Sequence, residues 1–295
     1  MTTLGAVFVP QLPPERLRAV VRAADESGLE ELWLWEDCFL ESGVATAAAA
    51  LAWSQRLRVG VGLLPVPLRN VALTGMELAT LYRLFPGRAI VAVGHGVQDW
   101  MGQVGARPAS PVTLLREYVT ALRGLLAGER LSVEGQYVRL DEVALDWPPT
   151  QTGAPAPVLV GATGPKTLRL AGEVADGTIL TGGTDVEGVR AARRLIDEGR
   201  AAAGRSDAPH SVVVYLHAAT GDGAAERMAA ERVRWGYHDD SKDVTVAGDA
   251  HAVADAVARW ADAGAGTVVL QPTPDDPDPE GFMRFVAERV RPLVR

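Results

Sequence analysis

The sequence predicts an α/β protein of one architecture, a (β/α)8 TIM barrel. Three observations carry that prediction. Short β-rich runs alternate strictly with helical patterns, the alternation repeats eight times, and 295 residues is the length of one such barrel with insertions. Strict alternation demands a parallel sheet with helices outside it. A doubly wound open sheet is the alternative.

Taken in order, Leu4 to Val9 reads as the first strand and Pro13 to Ser27 as its helix, with Leu17, Val20, Val21 and Ala24 at helical spacing and Gly28 as the stop. Glu31 to Trp35 and Val44 to Gln55 form the second pair, Leu57 to Leu64 and Asn70 to Leu84 the third, and Arg88 to Val93 and Val112 to Ala127 the fourth. Pro157 to Val160 is the fifth strand, followed by a helix from Pro165 to Glu173. Thr178 to Thr181 and Val186 to Ala203 make the sixth pair, Ser211 to Ala218 and Ala250 to Ala263 the seventh, and Gly266 to Gln271 and Phe282 to Leu293 the eighth. Two insertions interrupt the alternation. Leu131 to Leu140, after the fourth pair, has the pattern of a small hairpin, and Asp222 to Val246, after the seventh strand, that of an extra helix and loop. No linker or low-complexity tract divides the chain, so residues 1–295 read as a single domain.

Composition narrows the function. The net charge of −8 comes without a compensating basic block, which argues against a nucleic-acid or anionic-membrane partner. One cysteine, Cys38, excludes a disulfide scaffold and a cysteine-based zinc site, and fits a reducing compartment. No export signal is evident at the N-terminus. The longest apolar run, Val44 to Trp53, is half of the ~20 residues a membrane span needs. A soluble, cytoplasmic protein acting on a small molecule is expected.

In a barrel the chemistry belongs at the C-terminal ends of the strands. The second strand ends in "LWLWEDCF", which brings Glu36, Asp37 and Cys38 to the rim. Adjacent acids at a rim invite a shifted pKa, although a loop Asp that caps a turn and a buried thiol account for the same residues. The third ends in "VGVGLLPVPLRN". Gly60 and Gly62 inside a β run either let backbone approach something closely, through a bulge or unusual peptide at Gly62-Leu63, or relieve crowding inside the barrel. The fourth ends in "VAVGHGVQDW", where glycines flank His95 and Trp100 can wall a pocket. The remaining histidines, His210, His217, His238 and His251, show no metal-ligand spacing, and no metal is assigned.

The fifth strand runs into "VGATGPKTLRL". Two residues separate Gly161 from Gly164, and Pro165 splits glycine from Lys166, so this is neither a P-loop nor a dinucleotide fingerprint. Pro165 nevertheless suits the first helical position, which makes Gly164 the N-cap. Glycine has no capping oxygen, so the following amides need an acceptor, and a phosphate at the positive end of the helix supplies one. Local capping by Thr163 or Thr167 is the competing account.

These segments, together with "LATLYRLFPGRAIVAVGHGVQDW" and "LREYVTALRGLLAGE", resemble the luciferase-like flavin and deazaflavin oxidoreductases. Within that superfamily the sequence is most similar to the branch that uses coenzyme F420, which includes methylenetetrahydromethanopterin reductases and glucose-6-phosphate dehydrogenases of actinobacteria. The resemblance implies a barrel with the deazaflavin lying across the strand ends and a non-prolyl cis peptide at Gly62-Leu63. It implies cofactor contacts at Asp37, Gly62, Leu63, Pro65, Gly94, His95, Val97, Gly161, Ala162, Thr163, Gly164 and Lys166, and a homodimer. Many relatives carry His directly after the acid, where this chain has Cys38. A thiol is a poorer proton donor near neutral pH. The catalytic candidates are therefore Asp37 and Cys38 by position, with His95 and Glu36 to take over the proton role. Hydride transfer between F420 and a small organic substrate is the leading expectation. An FMN-dependent monooxygenase and a non-catalytic flavin-binding barrel are the alternatives.

Overall fold

The computed structural model describes residues 2–153, 156–237 and 244–294. Strands β1 (Thr3–Val7), β2 (Glu31–Leu34), β3 (Arg58–Pro65) and β4 (Ala89–Gly94) lie side by side and parallel. A separate antiparallel hairpin follows, β5 (Leu131–Glu134) with β6 (Arg139–Val143). β7 (Val158–Gly161) pairs with β4, and β8 (Gly177–Leu180) with β7. β9 (Ser211–Ala219) pairs with β8 at its start and with the short β10 (Thr245–Ala247) at its end. β11 (Thr267–Gln271) joins β9 to β1. Eight parallel strands thus close on themselves, which excludes the open sheet.

The barrel helices are α1 (Leu17–Ser27), α2 (Gly43–Trp53), α3 (Val71–Leu84), α5 (Pro111–Ala127), α6 (Pro165–Val174), α7 (Val186–Ala202), α9 (Ala250–Asp262) and α10 (Pro279–Arg284). Gly28 ends α1 in the left-handed conformation, as its position predicts. Among the described residues two α-helices are additional. The short α4 (Gln98–Gln103) has no signal in the sequence, because its six residues carry no apolar period. α8 (Ala224–Arg234) is the helix expected in the second insertion. The end of that insertion differs from the expected loop, since Thr245 to Ala247 extend the sheet beside His217, Ala218 and Ala219. Part of the insertion, including His238, lies outside the described residues. The final helix starts at Pro279, three residues earlier than its apolar pattern implies, because the Asp278 carboxylate accepts from the Gly281 N–H.

The predicted hairpin is present, and its tip is fixed. The Glu117 carboxylate of α5 accepts from the N–H groups of Gln136, Tyr137 and Val138 at 3.0, 2.8 and 3.0 Å. Tyr137 Oη accepts from the Ser110 N–H at 2.6 Å. The hairpin thereby reaches the end of the barrel where α5 begins.

Two cores result from the alternation of side chains along each strand. Val212, Val214 and Leu216 of β9 face the helices, whereas Val213 and Tyr215 face the barrel interior with Trp33, Trp35, Ile90, Leu159, Ile179 and Val269. The interior rings explain one of the glycines in β3. A Cβ on Gly60 would sit 2.4 Å from Cδ2 of Trp33, a ring whose burial contributes on the order of 2 kcal/mol. Relief of crowding is therefore the role of Gly60.

Candidate functional site

The same alternation fixes what each strand presents at the C-terminal mouth. β3 has a register shift between Val61 and Leu64, so Gly62 and Leu63 bulge, and the peptide bond between them is cis. A second non-prolyl cis bond joins Cys38 to Phe39. The bulge brings Leu63 over the ends of β4 and β7. A Cβ on Gly94 would lie 2.6 Å from Leu63 Cδ2, and one on Gly161 2.2 Å from it. Three of the predicted cofactor positions, Leu63, Gly94 and Gly161, thus form one wall of backbone with a single side chain laid across it. Gly62 faces the opposite side, where its carbonyl accepts from Tyr215 Oη at 3.4 Å. Pro65 is close by, packing against Gly96, which has a left-handed φ of +66°.

Beside this wall begins α6. Gly164 is its N-cap, with φ −86° and ψ 153°, and Pro165 holds the first helical position. No side chain caps this turn among the described residues, and a Cβ on Gly164 would meet nothing within 4 Å. The local alternative, capping by Thr163 or Thr167, is not realised. Thr163 and Lys166 are exposed, and Ala162 is buried with its N–H on the Ile179 carbonyl at 3.0 Å. Thr167 turns its hydroxyl to His95 Nε2, 3.0 Å away. That contact ties the loop after β4 to the start of α6. His95 is consequently half-buried rather than the exposed residue its glycine neighbours imply. Burial holds its pKa below the ordinary histidine value, outweighing the nearby Pro111 carbonyl. Val97 is exposed on the same loop.

The three residues after β2 differ sharply. Glu36 is locked: it pairs with both terminal guanidinium nitrogens of Arg69, one of them at 2.8 Å, and accepts from the Gly43 N–H at 2.8 Å. Arg69 reaches Glu77 as well, at 3.4 Å. Asp37 has no side-chain hydrogen bond among the described residues, and burial raises its pKa. Burial and then the charges of Glu36 and Asp37 push the Cys38 thiol up, so it stays protonated at neutral pH. Nearby, Glu41 is pushed up to about 7 by burial. Its Oε1 is buried without a partner among the described residues.

The strand residues on the far side of the mouth carry no local signal in the sequence. Tyr215 contacts Trp35 edge-on, with centroids 5.5 Å apart. Two residues further along β9 comes His217, whose register partner on β11 is Gln271. Both are buried. Only the strand register marks them, as every second residue of "VVVYLHA" and "TVVLQ", counted outward from the barrel centre. Among the described residues, no group of three or more His, Cys, Asp or Glu is arranged to hold a metal ion, and no helix is long and apolar enough to cross a membrane.

A closed barrel with a backbone wall, an uncapped helix N-terminus and a facing side-chain wall is a (β/α)8 protein, a class in which ligands sit at the strand ends. Residues 2–269 match the luciferase-like monooxygenase family model, and the chain belongs to that family. A 5,10-methylenetetrahydromethanopterin reductase of Methanolobus tindarius is 28% identical over 232 residues, 78% of this chain and 69% of that protein. An F420-dependent glucose-6-phosphate dehydrogenase of Nakamurella multipartita is 31% identical over 215 residues, 64% of this chain and 62% of that protein. The structure of coenzyme F420-dependent tetrahydromethanopterin reductase from Methanopyrus kandleri superposes with a TM-score of 0.84 at 21% identity, covering 100% of this chain and 99% of that one.

Proposed function

We propose that the protein is an F420-dependent oxidoreductase that moves a hydride between the deazaflavin and a small organic substrate. One observation carries the reading: the Leu63–Gly94–Gly161 wall and the bare Gly164 cap share one mouth. A backbone wall with one leucine side chain across it suits a flat ring, and an uncapped helix start suits a phosphate. The relatives with F420 in their names favour the deazaflavin over FMN.

In this reading Leu63, Gly94 and Gly161 back the ring, with Gly62 holding the bulge from the side of Tyr215, while Ala162, Thr163, Gly164 and Lys166 surround the phosphate. When bound, the cofactor would supply a carbon that gives or accepts a hydride. The chain supplies position and hydrogen bonds. Asp37, half-buried and unpaired, is the acid at the ring. Glu36 holds the loop through Arg69 and is not free to donate. His95 braces the phosphate loop through Thr167. The protein acts as a cytoplasmic homodimer.

Fluorescence titrations of the purified protein with F420 and, separately, FMN test the cofactor. Saturable binding of F420 is expected. Binding of FMN without binding of F420 overturns the proposal, whereas F420 binding without hydride exchange across a broad substrate screen favours a non-catalytic barrel.

A further inference from the structure

Opposite the Leu63 wall stands a polar cluster that the cofactor reading does not use. His217 follows Tyr215 on the barrel-facing register of β9 and is 0% exposed. Its Nε2 lies 3.1 Å from Tyr237 Oη. Its Nδ1 has no hydrogen-bond partner among the described residues and lies 4.0 Å from Glu231 Oε1. Glu231 of α8, 4% exposed, accepts from Trp235 Nε1 at 2.7 Å. The Trp235 and Tyr237 rings stack at an interplanar angle of 22°.

The end of β8 is shaped around this cluster. A Cβ on Gly182 would lie 2.9 Å from His217 Nε2, and one on Gly183 would lie 2.8 Å from Tyr237 Oη. Both glycines leave room for the two polar rings. A buried polar atom without a partner costs about 1–3 kcal/mol, a cost that an apolar filler avoids. Here the imidazole and the phenol are retained at the end of the barrel where substrates bind.

We propose that the Tyr237–His217 pair is the hydrogen-bonding subsite for the oxygen of a substrate whose reacting carbon alternates between a carbonyl and an alcohol. The inference rests on the oxidoreductase reading and adds the chemical class of the substrate. With the imidazole proton on Nε2, His217 donates to Tyr237 Oη, and the phenol hydrogen is free for a carbonyl oxygen. With the proton on Nδ1, toward Glu231, Tyr237 donates to Nε2, and its oxygen accepts from an alcohol hydroxyl. One neutral pair therefore receives both redox forms. Burial keeps it neutral, holding His217 down to about 4 and pushing Tyr237 up to about 12.

The test uses the full-length protein labelled with 3-fluorotyrosine, whose five tyrosines give few fluorine resonances. Tyr237→Phe assigns the Tyr237 signal. Cyclohexanone and cyclohexanol are the oxygen-bearing probes, and cyclohexene is the oxygen-free control. Both oxygen-bearing probes are expected to shift the Tyr237 resonance saturably, and cyclohexene is not. Tyr237→Phe should weaken cyclohexanone binding about 5-fold, within the worth of one neutral hydrogen bond, and leave F420 affinity unchanged. A Tyr237 resonance indifferent to both oxygen-bearing probes, in protein that still binds F420, overturns the subsite and leaves the cofactor reading standing. An equal shift with cyclohexene overturns it too. A saturable, oxygen-dependent shift in protein that binds FMN but not F420 supports the subsite while removing the cofactor reading.

Discussion

The two sides of the barrel mouth solve the same problem differently. β3, β4 and β7 end in backbone, with Gly62, Gly94 and Gly161 leaving room for Leu63 and Tyr215. β2, β9 and β11 end in side chains: Asp37, His217 and Gln271, above the rings of Trp35 and Tyr215. On the first side a ligand meets shape, and on the second it meets hydrogen-bonding groups. Shape fixed by the absence of Cβ atoms is unforgiving, since any added carbon collides with a neighbour. Side chains can be exchanged singly while the barrel stands. The backbone side is thus suited to a constant partner and the side-chain side to whatever distinguishes one substrate from another.

The hardest test of that contrast is to put a side chain on the backbone wall. Gly161→Val would drive Leu63 off its seat, because the added Cβ lies 2.2 Å from a leucine that already packs on Gly94. Overpacking of this kind costs about 1–3 kcal/mol. If that cost falls on the ligand, F420 affinity drops ~10- to 100-fold. Leu63→Ala in the same chain should restore most of it, as expected for residues in direct contact. Calorimetric titration of the single and double variants checks both steps. A double variant no better than Gly161→Val would dissolve the wall as a unit.

Gly164→Ile probes the same side more gently. A Cβ at Gly164 meets nothing within 4 Å, so the change costs mainly the cap preference, up to about 1 kcal/mol, or ~2–4 °C in Tm. Its branched side chain would screen the amides that await an acceptor. F420 affinity should fall ~10-fold, about what one charge-assisted hydrogen bond is worth. Unchanged affinity removes the phosphate from α6.

How legible each side is in the sequence follows from the same contrast. Backbone features announce themselves as residue types: glycines inside a β run, and proline after glycine at a helix start. Gly62-Leu63 and the Gly164 cap are readable for that reason. Ring closure is readable because eight strand–helix units leave no edge. The side-chain wall is hidden, because His217 and Gln271 look like any strand residue until the inward register of β9 and β11 is known. The tie between His95 and Thr167 spans 72 residues and has no local signal. Glu36 reads as a free acid until Arg69 is seen across 33 residues. β10, three residues long, is too short for a periodicity to register.

The smallest effect belongs to the acidic loop on the side-chain half. The Glu41 carboxyl is pushed up to about 7 by burial, above its ordinary value of 4.5. The folded state therefore holds the proton more tightly than the unfolded chain does. The resulting stability is fully present below about 4.5 and is lost as pH rises through about 7. Glu41→Gln keeps the neutral shape and removes the titration. Its Tm should match the wild type near the acid end of that window and exceed it slightly above neutrality, by a margin kept small because the group is half-exposed to solvent. Asp37, also raised by burial, contributes in the same sense to both proteins and cancels in the difference. Thermal melts at several pH values across that range check this. Curves that stay parallel would mean that Glu41 gains a partner in solution, and that the side-chain half of the mouth holds less unsatisfied charge than its geometry indicates.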